Sequence, residues 1–302
     1  MAGSAAASSP PYCGRFAPSP TGPMHFGSLL AALASYLDAR SHGGRWLVRM
    51  EDLDRPRERP GAADDILTAL EQHGLHWDGP VIRQSTRDAA YAAALARLAE
   101  QDLLFYCTCT RSQLRGLPVY PGTCRQRRKA PATSHAIRIR VPDQHVSFED
   151  RLQGPQSEQL ARDCGDFIVR RRDGLFAYQL AVVVDDAWQQ VTHVVRGADL
   201  MDSTARQRFL ADSLHLAPVS FAHIPVIAGP DGRKLSKRWQ AQPLQPGTAS
   251  ASLFSALSAL GQAPPADAWG APVNELLDWA HHHWRWSAVP RERQSSLICG
   301  LG

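Results

Sequence analysis

Two short stretches carry the side chains best suited to chemistry. His25, Phe26, Gly27 and Ser28 stand where a loop containing Pro18, Pro20, Gly22 and Pro23 enters an apolar-periodic segment; Lys234, Leu235, Ser236, Lys237 and Arg238 close a glycine-rich loop after an apolar stretch that begins at Pro225. Glycine lets a ligand approach the backbone, free N–H groups at a helix start attract phosphate, and an imidazole can donate to a phosphate oxygen. A proline-rich turn before a core helix and a solvated basic loop would use the same residues. A third group is Cys107, Cys109 and Cys124. Three thiolates suit tetrahedral Zn²⁺ if a fourth donor is near, and unmetallated buried thiols are the alternative.

These residues need elements to position them. Phe26, Leu29, Leu30, Leu33, Tyr36 and Leu37 recur at helical spacing, predicting a helix from near His25 to Gly43 and Gly44. A strand over 45–50 follows and ends in an acidic turn at Glu51, so strand, helix and strand form a βαβ unit. Ligands of such sheets lie beyond the carboxyl ends of the strands, where 15–19 and Glu51 fall; Glu51 could equally be an ordinary turn carboxylate. Helices are predicted over 62–73 and 87–101, and half-exposed antiparallel strands over 136–141, 146–148 and 166–170. Apolar strands are read over 175–186 and 191–199, Ser203 is read as the cap of a helix through Leu214, and helical patterns recur over 253–260 and 273–284. His281, His282 and His283 point to different helix faces, which disfavours a shared metal.

The 302 residues are 44% hydrophobic, ample for a core, and carry a net charge of +4. Basic stretches at 125–129 and 170–172 are either solvated faces or contacts to a polyanion. The first dozen residues have neither the cationic start nor the apolar centre of a signal peptide and read as a disordered tail. No run approaches membrane-spanning length. Scattered and clustered cysteines, rather than a disulfide framework, predict a reducing, cytoplasmic setting.

Taken together and in order, with 15–19 before the first stretch and 49–54 after it, the two motifs resemble the signatures of class I aminoacyl-tRNA synthetases in the forms of the glutamyl branch. The resemblance covers the chain from Arg15 to Arg238. It implies an α/β fold: a Rossmann-like parallel sheet, an inserted zinc-containing α+β subdomain and a short helical C-terminal region. The expected divisions are a disordered tail (1–12), the first half of the nucleotide-binding domain (13–104), the zinc-containing insertion (105–165), the second half with the lysine loop (166–240) and the helical region (241–302).

The resemblance further implies a ligase that activates L-glutamate with ATP and Mg²⁺. His25, Lys234 and Lys237 would be catalytic, and His25, Gly27, Ser28 and Lys237 would bind ATP. Arg15, Phe16, Ala17, Pro18, Ser19, Glu51, Tyr178 and Arg196 would form the glutamate pocket, with Glu51 receiving the α-ammonium. A structural zinc knuckle would fall on Cys107, Cys109, Tyr120 and Cys124, with His135 as a substitute fourth ligand. An ordinary glutamyl-tRNA synthetase continues into large anticodon-binding domains, for which this chain leaves no room. The expectation is therefore the shortened glutamyl-Q tRNA(Asp) synthetase family, whose members attach glutamate to queuosine in the anticodon of tRNA(Asp), acting as a monomer. Two alternatives stay open: a minimal enzyme charging the 3′ end of tRNA(Glu), and a non-catalytic nucleotide-binding paralogue.

Overall fold

Strand β1 (Cys13–Phe16) leads through the proline-glycine loop into helix α1 (Phe26–Ser41), whose Leu29, Leu30, Leu33 and Leu37 are buried. His25 is the N-cap: its Nδ1 accepts the Ser28 N–H at 3.2 Å, satisfying one of the orphan donors at a helix start. The computed structural model describes residues 10–227 and 243–295. Strand β2 (Arg45–Met50), helix α2 (Ala62–Gln72), strand β3 (Ile82–Arg83) and helix α3 (Asp88–Glu100) complete the first half. Strands β4 (Leu104–Cys107), β5 (Ala136–Ile139), β6 (His145–Asp150) and β7 (Gly154–Gln159) follow, then the short helix α4 (Leu160–Asp163) and strand β8 (Phe167–Arg170). Helix α5 (Tyr178–Trp188), strand β9 (His193–Gly197), helix α6 (Met201–Ser213) and strands β10 (Ser220–Ile224) and β11 (Val226–Ile227) form the second half. Helices α7 (Ala249–Ala259) and α8 (Val273–His283) and strand β12 (Gln294–Ser295) end the described chain.

Two parallel sets meet edge to edge. One has the order β3-β2-β1, the other β9-β10-β6 with β7 antiparallel at its rim. They join where the Thr192 N–H donates to the Cys13 carbonyl at 2.9 Å, beside β1 and β9. The order 3-2-1 continued by β9, β10 and β6 is that of a nucleotide-binding sheet, and it brings the carboxyl ends of β1, β2, β9 and β10 to one side. One core packs α1, α7 and α8 with β1 and β2; a second packs α3, α5 and α6 with β5, β6 and β8.

Three features differ from the sequence expectation. The apolar run over 175–186 holds helix α5, not a strand: buried among α3, α6 and the sheet, it is apolar nearly all round and so lacks the period that separates a helix from a buried strand. Ser203 lies inside α6, behind the N-cap Leu200, and its hydroxyl is taken by Gln179 at 2.9 Å. Strand β6 is antiparallel and half-exposed as expected, but its antiparallel partner is β7, and its other edge meets β10 in parallel at Asp150 and Phe221, outside the β4-β5-β8 sheet; its alternating Val146 and Phe148 fill the second core. The antiparallel sheet β4-β5-β8 takes its third strand from 167–170, where the sequence placed one.

Candidate active site and cysteine cluster

A cleft of about 1310 Å³ opens at the carboxyl ends of the parallel strands. It gathers Arg15 and Phe16 from β1, Ala17, Pro18 and Ser19 from the loop, His25, Gly27 and Ser28 from the helix start, Glu51 after β2, Tyr178 at the start of α5 and Arg196 on β9. Lys234 and Lys237 lie outside the described residues. The flanks of their segment, Pro225 and Val226 on one side and Pro243 and Leu244 on the other, line the same cleft, and the Leu244 N–H donates to the Met24 carbonyl at 2.9 Å.

At one end of the cleft, around Arg15 and Glu51, charge is buried and ordered. Arg15 is 4% exposed and gives its Nε–H to Asp186 at 3.1 Å. Arg49 approaches the same carboxylate at 2.7 Å as an ion pair without hydrogen-bond alignment, and donates to Gln189 at 2.7 Å. Burial pushes the Glu51 carboxyl up, against the downward pull of Arg49 and Arg15, and its buried Oε1 has the Arg49 guanidinium 3.5 Å away as an ion pair but no hydrogen-bond partner. An orphaned carboxylate oxygen at a cleft is a receptor for a cationic donor, since a buried unmade bond is costly.

Arg196 is the counterpart. It is 4% exposed, and its partners are all neutral: His223 at 3.0 Å, Gln207 at 2.8 Å, Thr204 at 2.9 Å, and, more loosely, Tyr178 at 3.5 Å and the Leu200 carbonyl at 3.4 Å. A buried guanidinium without a carboxylate is itself a receptor for an anion. Arg15, Arg49 and Arg196 against Glu51 and Asp186 leave one positive charge, which a ligand with two carboxylates and one ammonium neutralises.

At the other end, burial pulls the His25 imidazole down, so it is neutral at pH 7. With Nδ1 accepting from the Ser28 N–H, Nε2 carries the proton and faces the Ser28 hydroxyl at 3.1 Å. A small turn of the Ser28 rotor would free that N–H for another acceptor. A Cβ at Gly27 would come within 3.3 Å of the imidazole, so the glycine leaves the ring its place.

The sequence reading missed Arg49 as a site residue, and Asp186, Gln189, Gln207, Thr204 and His223 altogether. A lone polar residue inside an apolar run, as at His223, and a pair of aspartates closing one, as at Asp185 and Asp186, were the available signals.

Away from the cleft, the sulfurs of Cys107, Cys109 and Cys124 lie within 4.8 Å of one another. The Tyr120 hydroxyl is 3.5 Å from Cys107 Sγ and 3.7 Å from Cys109 Sγ, and Cys109 and Cys124 are 3.7 Å apart. Tetrahedral Zn²⁺ with bonds of about 2.3 Å needs sulfurs about 3.8 Å apart, so the donor set fits. His135 lies elsewhere, edge-on to Tyr106 with its Nδ1 at the Thr133 carbonyl. Around the cluster the basic stretch is largely committed: Arg125 pairs with Asp166 at 3.1 Å, Arg128 pairs with Asp102, and Arg127 binds Thr108 at 2.8 Å. Among the described residues no helix is long and apolar enough to cross a membrane.

Comparison with known proteins joins these observations. The family model described as tRNA synthetases class I (E and Q), catalytic domain, matches residues 13–119 and 122–252. A glutamyl-Q tRNA(Asp) synthetase of Ectopseudomonas mendocina is 56% identical over 93% of this chain and 96% of its own length. One from Thiobacillus denitrificans is 54% identical over 92% of this chain and 94% of its own. Among solved structures, a glutamate tRNA ligase of Elizabethkingia meningosepticum in complex with its amino acid superposes with a TM-score of 0.79 at 26% identity, covering 94% of this chain but 66% of that one. The strand order, the cleft at the strand ends and these likenesses agree: the chain belongs to the class I tRNA synthetases of the E and Q type, and it is a ligase.

Proposed function

We propose that this enzyme activates L-glutamate with ATP in the absence of tRNA and then transfers the glutamyl group to queuosine in the anticodon of tRNA(Asp). The observation that carries the amino-acid half is Arg196, a buried cation at the cleft whose partners are all neutral. It receives one substrate carboxylate with Tyr178, Arg15 contributes its unengaged amino groups to the carboxylates, and Glu51 Oε1 accepts the α-ammonium. The names and length coverage of the curated relatives support the acceptor.

In the first step an α-carboxylate oxygen bonds to the α-phosphorus of Mg·ATP, the bond to the bridging oxygen breaks, and pyrophosphate leaves with that electron pair. No side-chain nucleophile is required; orientation and neutralisation of charge on the phosphorus lower the barrier. His25 Nε2–H stabilises a phosphate oxygen, and Lys237, assisted by Lys234, is assigned the same role from the opposite side. In the second step the acceptor attacks the glutamyl carbonyl carbon and AMP departs. Zinc, held by Cys107, Cys109, Cys124 and Tyr120, would tie the loops of the β4–β5 connection together and stand outside the reaction. The described cysteines are free thiols, which suits a reducing cytoplasm.

The test is ATP–pyrophosphate exchange with glutamate and no tRNA, followed by transfer of labelled glutamate to tRNA(Asp) with and without queuosine. Exchange followed by transfer to the queuosine form alone is the expected result. Label on the terminal ribose of tRNA(Glu), or equal labelling of both tRNA(Asp) forms, overturns the acceptor; absence of exchange overturns the activation step.

A further inference from the structure

Behind Arg196 stands a chain of buried polar groups on three adjacent parallel strands. Asp150 ends β6, His223 lies in β10 and Arg196 in β9, with His223 and Arg196 directly paired in register. All three are buried, His223 and Asp150 almost completely. His223 Nδ1 lies 2.6 Å from Asp150 Oδ2, and Arg196 donates its Nε–H to His223 Nε2 at 3.0 Å. The Thr204 hydroxyl also reaches Nε2, at 3.2 Å. A guanidinium Nε–H can only donate, so Nε2 must be the unprotonated nitrogen and the proton sits on Nδ1, facing the carboxylate.

We infer that Asp150 and His223 are positioning residues for glutamate: the carboxylate fixes the imidazole tautomer, and the tautomer presents a lone pair that holds the Arg196 fork toward the cleft. Without that lone pair, Nε of Arg196 would have a second donor in its face, and the guanidinium would swing off its line to the substrate carboxylate. This rests on the assignment of Arg196 to glutamate proposed above.

Asp150 offers a decisive variant because its two oxygens do different work. Oδ1 accepts the N–H groups of Leu152 at 3.0 Å, Gln153 at 2.9 Å and His223 at 3.2 Å, while Oδ2 meets the imidazole alone. In Asp150→Asn the amide oxygen keeps the three backbone bonds, which places the NH₂ against Nδ1. The imidazole must then carry its proton on Nε2, opposite Arg196. In His223→Gln, by contrast, a side-chain oxygen can take the place of Nε2 and accept from Arg196.

The experiment reads the tautomer and the substrate constants separately. Long-range ¹H–¹⁵N spectra, with the His223 signal assigned by its loss in His223→Gln, should show Nδ1–H in the parent and Nε2–H in Asp150→Asn. KM for glutamate in ATP–pyrophosphate exchange should rise about tenfold in Asp150→Asn and under about threefold in His223→Gln, the loss of one charge-assisted bond against its replacement. KM for ATP should stay unchanged in both. An Nε2–H signal in the parent overturns the relay, whether or not Asp150→Asn folds. So does a tautomer change that leaves KM for glutamate unmoved. Calorimetric titration of glutamate gives the same comparison if exchange itself fails, which separates this inference from the proposed reaction.

Discussion

The arginine-rich end of the cleft and the cysteine cluster are built in opposite ways. Arg15, Arg49, Glu51, Tyr178, Asp186 and Arg196 come from four elements and the segment after β2, and none reaches its place until the parallel strands have paired and helix α5 has docked. Cys107, Cys109, Tyr120 and Cys124 come from one short stretch, closed by local bonds such as the Cys124 N–H to the Tyr120 hydroxyl at 2.8 Å. The first is a preorganised electrostatic site whose geometry is the tertiary fold itself. The second is a local clasp, and metal binding can do for it what a core does elsewhere. Damage to the two should therefore separate: glutamate activation should be sensitive to the first and nearly blind to the second.

The largest effect on activation is expected from Arg196→Ala. Removing one partner of a buried, charge-assisted contact costs about 3–4 kcal/mol, so kcat/KM for glutamate in pyrophosphate exchange should fall roughly 10²- to 10³-fold. KM for ATP should hold, since His25 and Ser28 lie at the other end of the cleft. A loss confined to ATP would mean that the two ends have been exchanged in this reading.

Next in size is Asp186→Asn. The parent carboxylate is the shared counter-ion of Arg15 and Arg49, and together they hold it well below the ordinary carboxylate range despite the upward push of burial. Neutralising it leaves two buried guanidiniums facing each other. Stability should drop by about 3 kcal/mol, read as a lowered denaturation midpoint, with weaker glutamate binding alongside. Zinc content should not change, and if it did the two regions would not be independent.

These two sites also differ in how they can be read before folding. Cysteines spaced 107, 109 and 124 announce a ligand set by type and proximity, and the βαβ pattern at 13–50 announces a sheet and where its ligands lie. Arg15, Glu51 and Arg196 were legible only through family likeness, because an arginine or glutamate at a strand end is usually structural. Asp186 and His223 stood out as polar groups in apolar runs but their roles were not legible, since what gives each a role is a neighbour from another element. Helix α5 was mistaken for the same reason: an element apolar on every side carries no period, and only its packing decides its shape.

Acid should strike the sheet before the clasp. Burial holds His193 and His223, beside the joined sheet edges and the relay, and His25 at the cleft, below the usual histidine range. The unfolded chain takes up protons near pH 6.5 while these folded imidazoles refuse them, so stability is complete above about 6.5 and declines as pH falls below it. Each unit of depression is worth at most about 1.4 kcal/mol at the acid end of the window for the enclosed His223, and less for the partly exposed His193, where solvent screens the charge. Hydrogen exchange in β9 and β10 between pH 7.5 and 5.5 should quicken more than in β4 and β5. Equal acceleration would show that the two regions open as one unit.

The smallest effect on activation is expected from Tyr120→Phe, and that smallness is its value. The hydroxyl sits among the three sulfurs and accepts the Cys124 N–H, yet burial raises its pKa, so only a bound cation would draw it toward phenolate. If it is the fourth donor, its removal opens a coordination position to water, and zinc affinity measured against a chromophoric chelator should fall at least tenfold. Cys124→Ser, which exchanges a soft donor for a hard one, should lose more metal than Tyr120→Phe. Pyrophosphate exchange should stay within about twofold of the parent in Tyr120→Phe, because none of Cys107, Cys109, Tyr120 and Cys124 lines the cleft. Transfer to tRNA is where a loosened clasp would register if this sheet meets the acceptor, and a variant that activates normally but transfers poorly would divide the labour between the two regions.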